Sequence, residues 1–279
     1  MGNFNYVLPC VRDKLTTART YYVRTDGNDS NTGLVNTAAG AFLTIQKAIN
    51  VAATLDSNNF DVTIQIAQGQ GAVTFALGTG LVAKSMIGGG SIIIVGDETT
   101  PANVVLDCGA TNATGLLADA TKTVYQVRGI KLTASGAGTS FGLYAFHGGY
   151  IQFQNIVIGA GWLQQIRAVD TGLLTATGNF SIAGGASGGG AGSALAAVAG
   201  IIRVQGVTIT ISSGLTFDNF VASNTSGAVL LGSVTWAGSS FSGARYSLVA
   251  NGVLNTGGQA TTWIPGNAAG TTATGGQYI

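Results

Sequence analysis

The sequence predicts an all-β solenoid, and three observations carry that prediction. The first is a four-residue figure that returns six times: Asn103 to Leu106, Gly129 to Leu132, Asn155 to Ile158, Asn179 to Ile182, Gly206 to Ile209 and Ser233 to Trp236. The last residues of these figures lie 26, 26, 24, 27 and 27 apart. The first position is always Gly, Asn or Ser, the second and fourth are apolar, and the third is mixed. A small residue that tolerates the left-handed region, followed by in–out–in alternation, is a short strand entered through a bend. The second observation is an alternating pair just upstream of four copies: Tyr125/Val127, Ile151/Phe153, Ile202/Val204 and Val229/Leu231. Each repeat then reads strand, corner, strand and a longer polar return. The third is the fixed period itself, about 25 residues in a Gly-rich chain, which marks stacked repeats.

Composition sets the bounds. Charged residues make up 8% of the 279 and Gly accounts for 44 of them, against typical shares of about 25% and about 7%. With 46% hydrophobic residues and a net charge of +1, the chain has the apolar content to fold and no electrostatic footprint for nucleic acid or an anionic membrane. Cys10 and Cys108 fit no metal spacing and read as free thiols of a reducing cytoplasm. No cofactor motif is present. Residues 1–20 lack the continuous apolar core of an export signal, and the longest apolar stretch, Ala194 to Ile202, is too short to span a bilayer. If the protein, made in a bacterial cytoplasm, ends up outside the cell, it is expected to leave by lysis or inside a particle rather than through an export signal. The Asn-x-Ser/Thr matches at Asn28, Asn112, Asn179 and Asn224 are what chance yields in such a composition.

Taken in order, residues 1–20 show no period and read as an extended N-terminal arm, a segment that attaches to a partner or a sister subunit. Residues 21–60 follow as an entry strand and cap. Tyr21 to Arg24 is a strand, and Thr25 to Gly33 is dense in Asx-turn formers. A calcium loop counted from Asp26 would need a carboxylate at Thr37, which is absent, so the loop is read as a structural turn. Apolar residues at 42, 45, 48, 49, 52 and 55 make the chain's clear amphipathic helix. Placed before the first coil, it caps the open apolar end that every solenoid has.

The run Tyr21-Tyr22-Val23, Asp26-Gly27-Asn28-Asp29-Ser30, Gly33 and Phe42 to Ile49 resembles the entry to right-handed parallel β-helix proteins of the pectate-lyase-like superfamily. Taken with Tyr246 to Val253 and Pro265-Gly266-Asn267, it is similar to β-helical fibre and spike proteins of tailed phages and prophages. The resemblance implies a right-handed parallel β-helix, residues 61–240, closed by a strand or tail segment at 241–279. It also implies a virion appendage, a tail or head fibre or spike, commonly a homotrimer. On that reading residues 1–20 attach it to other virion proteins and the column contacts host surface glycan.

Val62 to Ile66 and Ser91 to Val95 are early strands of the column. The third position of each figure faces out, and among them stand Val105, Val157, Thr208 and Thr235; outward positions almost without charge suit a side packed against another subunit. The Gly-rich runs at 183–194 and 88–90 open no phosphate-binding helix and read as loops.

Phage β-helices commonly cleave surface polysaccharide, so the resemblance also implies a second possibility, a glycoside hydrolase or lyase. Hydrolysis needs two carboxylates about 5–9.5 Å apart. Asp119 and Asp170 fall 13 and 12 residues after their preceding figures, at one angular position two turns apart, about 9.6 Å by strand spacing. They are the candidate catalytic pair, against the plainer reading of turn-capping Asp residues. The single histidine, His147, has no acid that the sequence places beside it. Phe141 to Tyr150, with Trp162 one return later, offers Tyr144, Phe146, His147, Tyr150 and Trp162 as carbohydrate or receptor contacts; the alternative is that these rings fill the column. A bacterial surface adhesin is a third class, disfavoured by the missing export signal. The expected role is a non-enzymatic virion component without metal, nucleic acid or membrane insertion.

Overall fold

The computed structural model describes residues 12–136, 140–187 and 190–279. It is a right-handed parallel β-helix of about eight turns. Three parallel sheets run the length of the column. The entry sheet stacks ten strands: Arg19–Val23, Val62–Ile66, Ile92–Val95, Tyr125–Arg128, Tyr150–Gln154, Leu173–Ala176, Ile201–Val204, Ala228–Leu230, Val253–Asn255 and Gln277–Tyr278. The figure sheet stacks seven: Val73–Ala76, Val104–Cys108, Lys131–Ala134, Val157–Ile158, Phe180–Ile182, Thr208–Ile211 and Thr235–Gly238.

The third, or return, sheet corrects the expectation of a polar return. Its main strands are Thr114–Asp119, Phe141–Phe146, Gln164–Val169, Ser193–Val198, Thr216–Asn224 and Phe241–Leu248, the longest in the molecule. Gly80–Val82 precedes them, and Gly266–Ala268 and Thr271–Thr272 follow. These strands were hidden because several carry small residues, as Ser193 to Val198 does, so apolar alternation is blurred while the backbone still pairs.

Alternation explains the core. In the entry sheet Tyr125, Ile151, Leu174, Ile202 and Val229 stand in register and all are fully buried. Burying each such side chain contributes about 1.5–3 kcal/mol. In the figure sheet Leu106, Leu132, Ile158 and Ile182 stack as the period implies. The next step differs from the sequence alignment, since Ile182 pairs with Ile211 and Phe180 with Ile209. The slip is two residues, which keeps every side chain on its face. The outward third positions Val105 and Val157 are half-buried and Thr235 is exposed.

The corner in front of the figure has the left-handed backbone its small residues suggest at four of six copies: Gly129, Asn155, Gly206 and Ser233. A second left-handed corner, from return sheet to entry sheet, went unread. It recurs at Ala120, His147, Asp170, Ala199, Thr225, Ala250 and Thr274, with φ between 45° and 51°. Each such residue costs about 1–2 kcal/mol. Main-chain bonds to the next turn hold the row in place, among them Ala120 N–H to Phe146 O at 3.1 Å and Asp170 N–H to Val198 O at 3.0 Å.

At the N-terminal end the helix runs Ile45–Ala52, shorter than the 42–55 pattern, and buries Ile45, Ala48, Ile49 and Ala52. Thr44 caps it, its hydroxyl accepting from Lys47 N–H at 3.2 Å. Asp29, from the turn-rich loop, accepts from Leu43 N–H and Thr44 N–H at 2.9 Å and from the Thr44 hydroxyl at 2.7 Å. Asp26 pairs with Arg24 at 2.8 Å, so these two loop carboxylates fasten the chain to itself. Residues 1–11 of the expected arm, Cys10 included, lie outside the described residues. The part that is described does not project. Leu15 is 1% exposed, its N–H donates to Asp56 O at 2.8 Å, and Asp56 N–H donates to Asp13 O at 3.0 Å.

The other end is filled by rings. Phe220 stacks on Phe241 at 4.7 Å, Phe217 meets both edge-on, and Trp236 bridges Phe220 to Trp263. Trp236 thus belongs to the interior, as its figure position implies. Residues 241–279 carry the sheets onward rather than leaving them.

Candidate functional site

Among the described residues, the second left-handed corner gathers a constellation of acid–base side chains on the column's outside. Strand Thr114–Asp119 pairs with Phe141–Phe146 so that Asp119 lies opposite Phe146. Strand Phe141–Phe146 pairs with Gln164–Val169, with Tyr144 opposite Arg167 and Ala145 opposite Ala168. Two residues on, His147 and Asp170 stand side by side in the corner row. The positive φ of His147, 46°, turns its ring outward beneath the preceding turn.

The result is a line of three groups on three successive turns. His147 Nδ1 lies 2.8 Å from Asp119 Oδ1, and His147 Nε2 lies 3.9 Å from Asp170 Oδ2. The three side chains are 52%, 44% and 53% exposed. The imidazole therefore has a carboxylate on each side, one in hydrogen-bond contact that sets ring orientation and one reachable from the solvent-facing nitrogen. Such an arrangement can pass a proton between a carboxylate and a bound hydroxyl or water.

Aromatic faces flank the line. Phe146 stacks on His147 with ring centroids 3.4 Å apart, and on Tyr144 at 5.6 Å. Phe141 meets Tyr144 edge-on at 5.3 Å. Arg167 lies over the Phe141 ring at 4.2 Å and the Tyr144 ring at 5.2 Å. Burial pulls the Arg167 pKa down from its ordinary value, with the neighbouring Tyr144 acting the other way. Burial likewise pushes the Tyr144 phenol up, and the Arg167 charge opposes that. The guanidinium stays protonated. Among the described residues no carboxylate forms an ion pair with it, and two ring faces flank its charge.

Of the residues singled out on the sequence, Asp119, His147, Asp170, Tyr144 and Phe146 come together here. Tyr150 lies on the adjoining entry sheet, half-buried, its hydroxyl accepting from Gln152 Nε2 at 2.8 Å. Trp162 is not a contact residue: it is 2% exposed and packs in the core. Asp119 and Asp170 do not share one position, because the links between figure and return sheets differ in length. In register, Asp170 stands beside His147, one row beyond Asp119. The nearly equal counts of 13 and 12 concealed that offset, and the same variation concealed His147. Arg167 was missed as well. Its signal is the alternation of Ile166 and Ala168 around it within a strand that was read as a return.

Asp218, which fell at a different phase, has a structural role. Its carboxylate accepts from Gly190 N–H at 3.1 Å and Gly192 N–H at 2.9 Å, which pins the Gly-rich return. Among the described residues no group of three or more His, Cys, Asp or Glu is arranged to hold a metal ion. No helix among the described residues is long and apolar enough to cross a membrane. No family model matches the chain, and searches of curated proteins and of solved structures found no match either.

Proposed function

We propose that this chain is the shaft of a virion appendage, a tail or head fibre or spike of a phage or phage-like particle. It attaches through its N-terminal end, assembles as a homotrimer and presents its sheet faces to the host surface. The observation that carries the reading is the character of the outer faces. In the return sheet the outward row beyond Arg167 passes the covered Ala196 and continues through Ala222, Ser247 and Thr271, and in the figure sheet the row beyond Lys131 runs Val157, Ser181, Thr210 and Ala237. Uncharged stretches of small and Thr side chains along the C-terminal half of the column suit lateral packing of subunits better than free solvation. A rigid solenoid whose N-terminal end is sealed by a helix also suits a projecting part. Immunogold labelling of particles from the producing cell tests the proposal: label confined to an appendage supports it, and particles free of the chain overturn it.

A second reading has its own observation in its favour. The Asp119–His147–Asp170 line beside the Tyr144, Phe146 and Arg167 faces offers acid–base groups and a stacking surface of the kind glycan cleavage uses. The full chain should then reduce the viscosity of host surface polysaccharide. Asp119→Asn and Asp170→Asn should each remove that effect at unchanged melting temperature. An undiminished rate in both variants counts against this reading.

A further inference from the structure

Arg167 stands on the outer face of the return sheet among uncharged neighbours. Its row runs Val82, Leu117, Tyr144, Arg167, Ala196 and Ala222. Three residues earlier on the same two strands, Phe141 pairs with Gln164, and neither carries charge. Three residues later comes Asp170, about 10 Å on at the rise of a strand. No ion pair joins that carboxylate to Arg167 among the described residues.

The guanidinium is positioned but not satisfied. Its central carbon lies 4.2 Å from the centroid of the Phe141 ring and 5.2 Å from that of Tyr144, which lays the side chain along the sheet. Nε is buried without a hydrogen-bond partner. Nη1 and Nη2 are neither buried nor hydrogen-bonded among the described residues, so their N–H fork opens outward beside the rings. Part-burial already strips solvation from the charge and lowers its pKa. A cation that has lost water and gained no counter-ion is costly until an anion reaches it.

We propose that Arg167, together with the Tyr144 and Phe146 rings, binds an oxyanion carried on a saccharide, either the carboxylate of an acidic sugar or the phosphate of a sugar phosphate. The planar fork matches both groups through two parallel N–H···O bonds. The ring faces accept the apolar side of a pyranose. A neutral sugar can use the rings but leaves the fork unpaired, which makes Arg167 the specificity-determining residue of this face. The three-residue separation keeps the anion clear of the carboxylates of Asp119 and Asp170. This inference rests on the reading that the column contacts host glycan, and it adds the charge class of that glycan.

Titration of the full chain by NMR with glucuronate, glucose 6-phosphate and glucose tests it. At least one of the two anionic sugars should bind about tenfold or more tighter than glucose, and the tighter of the two identifies the anion. Arg167→Met keeps an apolar stem over Phe141 and should abolish that preference at an unchanged melting temperature. Should Arg167→Met fail to fold, Arg167→Lys takes its place and should lower the preference, because an ammonium lacks the fork. Equal affinity of the native chain for all three sugars overturns the proposal and leaves the glycan-contact reading standing. A preference that survives intact in the folded variant also overturns the proposal. Binding of none of the three overturns the proposal and the glycan contact at this face together.

Discussion

Cys108 sits fully buried where the figure sheet meets the return sheet, beside the carboxylate-bearing Asp107, and burial pushes its thiol up to about 12. The thiol is therefore protonated and inert at neutral pH. Native protein at pH 8 should resist iodoacetamide at Cys108, and the site should label once denaturant unfolds the chain. Because the folded value lies above the ordinary 9.0, the associated stability is complete below pH 9 and is lost as pH rises toward 12. Tyr125 acts in the same sense from its ordinary 10.0, through burial. Its hydroxyl donates to Lys84 O at 2.8 Å and accepts from Lys84 N–H at 2.7 Å. Tyr125→Phe should cost about 0.5–1.5 kcal/mol, since it removes the partner of a half-buried main-chain N–H and C=O. Thermal melts should show that loss at pH 7, together with falling stability of the native chain above pH 9. At the candidate site, His147, Asp119 and Asp170 lie too near solvent for their removal to unfold the column. His147→Ala should shift the melt by no more than about 1 kcal/mol, and a larger loss would make the line a structural clasp.

Elements differ in how much of them the sequence discloses. The helix reads almost fully from its apolar spacing, but its length does not. Phe42 and Leu55 complete the pattern while lying outside it, and Thr44 with Asp29 sets the start. Asp29→Ala leaves two backbone N–H groups and a hydroxyl without their acceptor and should cost about 1–2 kcal/mol, read as a lower urea midpoint. The figure strands are visible because each begins with a small residue at a corner and continues with strict alternation. Their register is visible only while the turns keep one length. After Ile182 the Gly-rich return adds residues, and the alignment slips by two without any change of face. Gly161 shows how closely successive turns approach. Its φ is 95°, and a Cβ there would collide with the Ala134 carbonyl oxygen. Gly161→Ala should therefore separate two turns and cost more than about 2 kcal/mol.

On the scale of the whole column, solenoid architecture follows from period alone, since stacking is what makes a repeat bury its apolar face. The third sheet stayed hidden because its strands break the apolar–polar alternation, with small residues such as Gly115, Gly142 and Ala196 interrupting the pattern while the backbone still pairs. The candidate site stayed hidden with it: it forms where three turns of that sheet end, and links of unequal length erase the phase that would join Asp119, His147 and Asp170. The uncharged C-terminal stretches of the outer rows, beyond Lys131 and Arg167, are the physical reason to expect subunits side by side. Light scattering on the full chain measures that most directly. The account predicts a mass three times the 27.9 kDa of one chain, unchanged by salt because the packed faces carry little charge. A stable monomer across the accessible concentration range would contradict it and leave the column as a solitary glycan-binding or glycan-cleaving solenoid.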